Sequence, residues 1–213
     1  MPPIAALAIG YLAGSVPFAY LAGRLLKGID LRTVGSGNLG ATNVYRTLGA
    51  PAALVVLLLD ALKGALPVLL VTPRVTEVLA APEGAATPAW MALAIGVAAI
   101  VGHAKPIFLL GKGGGKGVAT TAGVFAALAP AGLGIALFAF TLVVWRTRIV
   151  SLGSMVAALV LPVAVAVTAG PGSPFALVGV AVAAFVVWTH RANIERLRDG
   201  TEPRLGAPGA GAR

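Results

Sequence analysis

Long apolar runs alternate with short polar connections along the 213-residue chain. A helix that crosses a bilayer needs about 20 apolar residues, and backbone groups cannot stay unpaired in lipid, so each run is expected to be helical. The pattern predicts seven segments, at 4–26, 51–72, 88–101, 118–129, 131–145, 150–169 and 174–189. Pro130 and Gly132 divide the short fourth segment from the fifth, and one helix over 118–145 would reduce the count to six. We predict an all-α, polytopic integral membrane protein with seven transmembrane segments and a short or broken fourth helix.

Composition agrees with a membrane protein. Hydrophobic residues make up 58% of the chain and charged residues 11%, against about 25% charged in soluble domains. The chain has no cysteine, which excludes disulfides and thiol chemistry. The first run is longer than the core of a signal peptide and no basic residue precedes it, so we interpret it as a span. We expect one membrane domain over 1–205 and a disordered tail over 206–213.

The basic residues predict the orientation. Fourteen of the sixteen Lys and Arg lie at 24–46, 105–116, 146–148 and 191–213. Seven crossings put these four regions on one side, whereas six would separate the first two from the last two. Because Lys and Arg gather in cytoplasmic loops, we predict the N-terminus outside and the C-terminus in the cytoplasm. The net charge of +9 then lies mostly on the cytoplasmic face.

The first polar stretch on that face, 34–49, reads VGSGNLGATNVYRTLG. We interpret it as a loop in which Gly35, Gly37 and Gly40 take positive φ, so that successive N–H groups point into one concavity and bind an anion. Hydroxyls, amides and a cation are available in the same stretch, from Ser36, Asn38, Thr42, Asn43 and Arg46. The alternative is a flexible loop that uses glycine only for turns.

The second polar stretch, 102–123, reads GHAKPIFLLGKGGGKGVATTAG. An apolar helix is predicted to begin near Val118, and helix N-termini favour anions. A phosphate would be held by the glycine N–H groups, with Lys116 supplying charge. A nucleotide-binding Walker A loop does not fit, because Gly117 follows the lysine and Leu110 stands at its first position. The alternative is a glycine hinge between helices.

The third polar stretch, 188–206, reads WTHRANIERLRDGTEPRLG and offers His190, Asn193 and Glu202. An imidazole at a helix exit titrates near neutral pH and can serve as base, donor or orienter. His103 holds the matching place at the end of the third segment, and two such histidines on one side favour a shared site. The alternative is a basic tail that only determines topology.

Four further polar residues lie in or beside the predicted spans. Asp60 and Lys63 lie three positions apart on one face of the second segment, where a buried ion pair anchoring neighbouring helices is the simplest interpretation and a proton relay the alternative. Arg148 and Ser151 lie at the start of the sixth segment. The serine is predicted either to cap that helix or, with the arginine, to contact a phosphate.

These residues predict a cationic, amide-rich basin at the cytoplasmic membrane face. Paired carboxylates, a zinc ligand set, a dinucleotide fingerprint and a Ser-His-Asp arrangement are not evident in the sequence, so we expect no metal and no cofactor. Such a basin suits a phosphorylated water-soluble molecule together with a lipidic one. If the lipidic partner is an acyl donor already activated as a mixed anhydride, the enzyme only has to align the partners and stabilise the charge that develops on the carbonyl oxygen and the leaving phosphate. A transporter of phosphorylated metabolites is the rival hypothesis, and a lipid-binding scaffold a third. Asp60 and Lys63 alone are polar near mid-membrane, which favours an enzyme at the interface over a transporter.

The three stretches resemble the three motifs of the bacterial acyl-phosphate:glycerol-3-phosphate acyltransferases, the PlsY family. The first motif, S-G-N-x-G-A-T-N, is matched by 36–43, and the third, H-R-x-N-I-x-R-L, by 190–197. The second is matched at 102–108 and 114–120. In the middle of this motif LLGKGGGKG, at 109–117, is one residue longer than the family pattern, which displaces Lys112.

The resemblance implies a glycerol-3-phosphate 1-O-acyltransferase that moves a fatty acyl group from acyl phosphate to the 1-hydroxyl of glycerol 3-phosphate. The products would be lysophosphatidate and phosphate, in the first acylation of phospholipid biosynthesis. It implies a multi-pass protein of the bacterial cytoplasmic (inner) membrane with a cytoplasmic active site. Its partners would be the two substrates and the bilayer, with no nucleic acid and no obligate protein partner.

By motif position, the resemblance assigns Ser36, Asn38, His190 and Asn193 to the reacting groups and Glu202 to bracing the third motif. Together with the residues considered above, the predicted substrate and phosphate contacts are Thr42, Asn43, Arg46, His103, Gly114, Gly115, Lys116, Gly117, Arg148 and Ser151. Two questions stay open: which loop holds which phosphate, and whether His190 or the donor's own phosphate takes the hydroxyl proton.

Overall fold

The structure, a computed structural model, describes residues 1–79 and 89–206. All regular elements in these two ranges are helical. Ten α-helices are described, α1 Pro3–Ser15, α2 Phe18–Lys27, α3 Ala41–Leu48, α4 Ala50–Leu79, α5 Ala89–Ala104, α6 Val118–Leu128, α7 Pro130–Thr147, α8 Val150–Ala169, α9 Pro174–Thr189 and α10 Arg191–Arg198, with a 3₁₀ turn at Ile107–Leu109. The predicted start of the third segment at 88 and all but the first residue of the predicted tail lie outside the described residues.

Five helical stretches in the described ranges are long and apolar enough to cross a membrane. They are Pro3–Lys27, Ala50–Val75, Ala89–Leu109, Pro130–Thr147 and Val150–Ala169. Helices α9 and α10 make a sixth candidate as a pair bent by 58°, and α6 is a shorter apolar helix of 11 residues. Over the described ranges the chain is therefore an all-helical, multi-pass membrane protein, and the count of seven crossings stays a prediction.

The first apolar run, predicted as a span over 4–26, is a candidate span over Pro3–Lys27 that contains a break. Helix α1 ends at Ser15 and α2 begins at Phe18. Pro17 causes the break, because proline has no N–H for a helical hydrogen bond and disfavours the α conformation in the residue before it. Val16 accordingly adopts extended φ and ψ of −61° and 115°.

The stretch 34–49 is only half a loop, contrary to the interpretation above. Gly35 and Gly37 have positive φ, 61° and 67°, as predicted. Gly40 does not: its φ is −123° and it stands at the N-terminal cap of α3. No glycine interrupts Ala41–Leu48, and a helix there buries Val44 and Asn43 on its inner face.

The chain divides into two compact units, Met1–Leu128 and Ala129–Arg213. In the first unit, α1 packs on α5 and α4 on α6. A β-carbon at Gly14 or Gly64 would collide with backbone atoms of the facing helix. In the second unit, α8 packs between α7 and α9. Such close approach through small residues is typical of helix packing in membranes, where dispersion contacts and not water exclusion hold helices together.

Candidate active site

One buried amide shapes the loop at the start of the first motif. Asn43, 1% exposed, accepts the N–H of Ser36 at Oδ1, 2.9 Å away. Its Nδ2 donates to the carbonyls of Leu31 and Val34, each at 3.1 Å. These bonds use both amide hydrogens, so the side chain folds the loop around itself. Ser36 is left exposed on the loop surface, and Thr42 is half-buried at the start of α3.

An ion cluster fixes the entry to this loop. The carboxylate of Asp30 lies 2.7 Å from Nη2 of Arg32 and 3.3 Å from Nη2 of Arg24. Both guanidinium groups stack on the Tyr20 ring, at 5.2 and 5.3 Å from its centroid. The hydrogen bond from Arg32 lowers the pKa of Asp30 to about 2. The positive charge of Arg32 is thus paired with the carboxylate of Asp30.

The second motif forms a glycine turn that contacts the first motif. Gly113 and Gly117 have φ of 71° and 84°, and α6 begins directly afterwards, at Val118, as predicted. Nδ2 of Asn38 donates to the carbonyl of Gly114 at 3.4 Å. A β-carbon at Gly115 would lie 3.0 Å from the carbonyl oxygen of Leu39. Two motifs 76 residues apart therefore meet within the first unit.

The basic residues around this turn differ in exposure. Lys116 and Arg46 are half-buried, whereas Lys112 is exposed. The additional residue of the second motif falls in a stretch where Leu110, Gly111 and Gly113 all have positive φ. Gly114 and Gly115, which follow this stretch, lie against the first motif.

Three buried polar side chains lie beneath the glycine turn. Nζ of Lys63 is 2.8 Å from Oδ1 of Asp60, and Nδ1 of His103 is 3.7 Å from the same oxygen. None of the three residues exceeds 7% exposure. Together with Gly114 and Gly115 they line a small cavity. Asp60 and Lys63 thus form the ion pair expected from the sequence, and the imidazole of His103 faces the same carboxylate oxygen.

Glu202 is the centre of the third motif. Its Oε1 accepts hydrogen bonds from Oγ of Ser151 at 2.7 Å and from Nδ2 of Asn193 at 2.6 Å. Its Oε2 accepts from Nε of Arg196 at 2.7 Å. Burial favours the protonated acid, but these three donors outweigh it and hold the pKa of Glu202 below its usual value. The carboxylate therefore stays ionised and ties α10 to α8.

Ser151 does not cap α8, which was one of its two predicted roles. The N-cap of α8 is Ile149 and has no side-chain hydrogen bond. Ser151 lies one position inside the helix and donates its hydroxyl to Glu202. Arg148 is exposed with a φ of 62°, and its carbonyl accepts the N–H of Leu205 at 2.8 Å. The segment after α10 thus returns to the start of α8.

His190 lies at the bend between α9 and α10 and is 3% exposed. Its Nδ1 lies 2.7 Å from the carbonyl oxygen of Val186. Because a carbonyl oxygen can only accept a hydrogen bond, Nδ1 is the donor. In the neutral ring this bond selects the tautomer in which Nε2 carries the lone pair. The backbone therefore fixes both the ring orientation and the tautomer.

Several of these contacts were not predicted from the sequence. The break at Val16 could have been found from Pro17 in the apolar run, and the Asp30–Arg32 pair from their spacing of two. The organising role of Asn43 had no comparable signal, because the sequence does not distinguish an amide that binds a ligand from one that binds its own backbone.

Comparison with known proteins identifies the family. The family model described as glycerol-3-phosphate acyltransferase matches residues 4–200. The chain belongs to this family. A glycerol-3-phosphate acyltransferase of Synechococcus sp. (strain CC9902) is 50% identical over 204 residues, which cover 95% of both chains. One of Anaeromyxobacter sp. (strain K) is 43% identical over 199 residues, which cover 93% of this chain and 95% of the relative.

Two solved structures of PlsY, an integral membrane glycerol 3-phosphate acyltransferase, are also similar. The glycerol 3-phosphate form has a TM-score of 0.83 and 34% identity and covers 96% of each chain. The lysophosphatidic acid form has a TM-score of 0.80 and 32% identity, over 98% of this chain and 97% of the other. The predicted family and enzyme class are confirmed: the chain is a membrane acyltransferase of phospholipid synthesis. The roles of individual residues stay predictions.

Proposed function

We propose that this acyltransferase moves a fatty acyl group from acyl phosphate to the 1-hydroxyl of glycerol 3-phosphate, releasing phosphate and giving lysophosphatidate. The observation that carries the proposal is the contact of the glycine turn with Asn38 of the first motif. It creates a site of backbone N–H groups, amides and cations next to helices that face lipid. Such a site suits a phosphorylated water-soluble acceptor and a lipidic, phosphorylated donor. Family membership supports the same conclusion.

The reaction needs no protein nucleophile. The hydroxyl oxygen of the acceptor attacks the acyl carbonyl, an ester bond forms, and the bond between the acyl carbon and the phosphate oxygen breaks. Phosphate leaves with the electron pair, and the hydroxyl proton passes to a base. The protein aligns the two substrates and stabilises charge on the carbonyl oxygen and the departing phosphate.

Residue roles follow from this chemistry. Lys116 and the N–H groups of Gly114 and Gly117 hold a phosphate, and Arg46 and Thr42 contribute further donors. Gly115 belongs to the turn but donates its own N–H to the backbone carbonyl of His103. Asn43 acts through the loop that it folds, since both of its amide hydrogens bind loop carbonyls. Ser36 and Asn38 belong with the reacting groups. Arg148 and Ser151 remain proposed phosphate contacts.

We assign the proton transfer to His190, with Asn193 orienting a reacting group. The hydrogen bond from Nδ1 of His190 to Val186 supports this, because it leaves the lone pair of the neutral ring on Nε2. Alanine at position 190 should then lower kcat more than it raises KM. A nearly normal kcat in this variant would indicate that the phosphate of the donor, and not His190, takes the hydroxyl proton.

The membrane topology proposed is seven crossings, with the N-terminus outside and the site on the cytoplasmic face of the inner membrane. Because the chain has no cysteine, single cysteines can report it directly. An impermeant maleimide should label Gly172→Cys, in the exposed uncharged turn before α9, in intact cells. It should label Asp199→Cys, exposed after α10, only after permeabilisation. The reverse pattern would refute the orientation.

The activity is tested with purified protein in detergent, acyl phosphate and glycerol 3-phosphate. Phosphate release that needs both substrates, together with formation of lysophosphatidate, is the expected result. Release without the acceptor would indicate a hydrolase. Uptake of glycerol 3-phosphate into proteoliposomes without acylated product would support the transporter hypothesis instead.

A further inference from the structure

The polar cluster of Asp60, Lys63 and His103 is costly to maintain. A charged group within the hydrocarbon region costs several kcal/mol unless it is paired, and replacing a buried ion pair by apolar residues is often neutral or stabilising. Stability of the helix bundle alone therefore does not explain why the pair lies in α4. The contacts of the Asp60–Lys63 pair with α1 and α2 on one side and with His103 on the other indicate its role.

One end of the cluster is tied to the break in the first apolar run. Nζ of Lys63 donates to the carbonyl of Val16 at 2.8 Å and lies 5.4 Å from the centroid of the Phe18 ring. The interrupted helix exposes this carbonyl, and Lys63 supplies it with a charged donor. The position of the ammonium group, and through it that of Asp60, is thereby fixed by α1 and α2 as well as by α4.

The other end reaches the glycine turn through His103. Nδ1 of His103 faces Asp60, while its backbone carbonyl accepts the N–H of Gly115 at 3.1 Å. Nε2 and Cε1 of the same ring occupy the space that a β-carbon at Gly115 would need. The ring therefore packs directly against Gly115, and a change in its orientation alters or removes this contact. The carbonyls of His103 and Ala104 similarly fill the space next to Gly114.

We infer that Asp60 and Lys63 are positioning residues for the phosphate-binding glycine turn, which they hold in shape by fixing the imidazole of His103. The inference rests on the proposed function, which assigns 114–117 to a phosphate. It changes the predicted role of His103 from substrate contact to support of the turn. Lys63 anchors Asp60, and the Asp60 carboxylate faces the imidazole of His103. His103 sets the place of Gly115, whose N–H it accepts at its backbone carbonyl. The residues on either side of Gly115 then meet the phosphate.

Two double variants separate this role from simple helix anchoring. Asp60→Leu with Lys63→Met removes the ion pair and the oxygen that faces His103. Asp60→Asn with Lys63→Met also removes both charges but keeps an oxygen at that place. Both variants are neutral in the membrane, so both should fold, which their thermal unfolding in detergent would verify. If the variant with Asp60→Leu and Lys63→Met does not fold, Asp60→Val with Lys63→Leu takes its place.

The kinetics decide between the two roles. In the leucine variant we expect KM for a phosphorylated substrate to rise about 10- to 100-fold, the scale of a displaced binding group, with a smaller change in kcat. The asparagine variant keeps the oxygen but lacks the Lys63 anchor, so its KM should lie between the wild-type value and that of the leucine variant. Equal KM values for both substrates in the two folded variants would overturn the inference, because a pure anchor does not need the oxygen.

A double-mutant cycle with His103→Gln adds a second criterion. If Asp60 and Lys63 act through the imidazole, His103→Gln raises KM by itself, and adding it to the leucine variant raises KM no further. Effects that multiply would show that the residues act independently and would also overturn the inference. Failure of the proposed function has a different signature, since the wild-type protein itself would then release no phosphate when given both substrates.

Discussion

Glu202→Gln tests the support of the third motif. Glutamine keeps one oxygen for Ser151 and Asn193, but it removes the negative charge and turns an NH₂ group toward Nε of Arg196. A hydrogen bond to a charged group contributes about 1.5–3 kcal/mol and a neutral one about 0.5–1.5. The first two bonds then lose about 1 kcal/mol each. The half-exposed Arg196 pair loses about 0.5–1 kcal/mol more, because exposed ion pairs contribute little.

We therefore expect Glu202→Gln to lower the free energy of unfolding by about 3 kcal/mol, the sum of these losses. For a protein of this size that corresponds to a fall in melting temperature of about 6–12 °C, measured by thermal unfolding in detergent. Glu195→Gln is the matched control, because Glu195 is exposed on the same helix, α10. Equal melting temperatures of the Glu202 variant and the control would refute the reasoning.

The pH dependence gives an independent check on Glu202. Its pKa is below the ordinary value of 4.5, so the folded state favours the carboxylate more than the unfolded state does. The stabilisation is then fully present above pH 4.5 and is lost as the pH falls through the pKa of the folded state. The difference in stability between wild type and Glu202→Gln should be constant near neutral pH and shrink only in acid. A difference that shrinks between pH 8 and 6 would point to another group.

The remaining predictions concern the glycine turn and the end of α7. Lys116→Ala and Arg46→Ala should each raise KM about 10- to 150-fold, since each removes a charge-assisted phosphate contact of about 1.5–3 kcal/mol; normal kinetics in both would refute the phosphate assignment. Gly115→Ala should abolish most activity because its β-carbon meets the imidazole beneath it, whereas Gly134→Ala, with open space, should be active in the same assay. Arg148→Gly should raise the melting temperature by about 2–4 °C, because glycine relieves about 1 kcal/mol of strain at φ 62°, and a lower melting temperature would contradict this.

Apolar periodicity predicted the membrane helices well where helix-end signals accompanied it. The predicted bounds of α8 and α9, 150–169 and 174–189, agree with the structure. Gly170 ends the first, and Ser173 caps the second through a hydrogen bond to Phe175 N–H, with Pro174 at its first position. These residues act locally, within a turn of the chain, and a local signal can be read from one sequence.

The break inside the first span was not predicted, because apolar character and helical continuity are different properties. The run 4–26 is apolar enough to lie in lipid, but Pro17 interrupts its hydrogen bonds, and Lys63, from a distant part of the chain, donates to the carbonyl exposed there. The contact of Asn38 with Gly114 is equally non-local. Motif spacing identified both stretches as candidates for one site, but nothing within either stretch specifies which atom meets which.

The described structure also suggests why the motifs contain polar residues that do not face the substrate. Irregular backbone at the membrane has no bulk water to satisfy its N–H and C=O groups, so the protein must supply partners from within. Asn43 does this for the first loop with its side chain, and His103 does it for the glycine turn with its backbone carbonyl. Glu202 instead holds the segment after α10 through the side chains of Ser151, Asn193 and Arg196. Each is at most 7% exposed. An amide, an imidazole and a carboxylate look catalytic in a sequence, yet these three bind backbone or other side chains. Alanine at any of them should therefore disturb several substrate contacts together, through the shape of the loop and not through one lost bond.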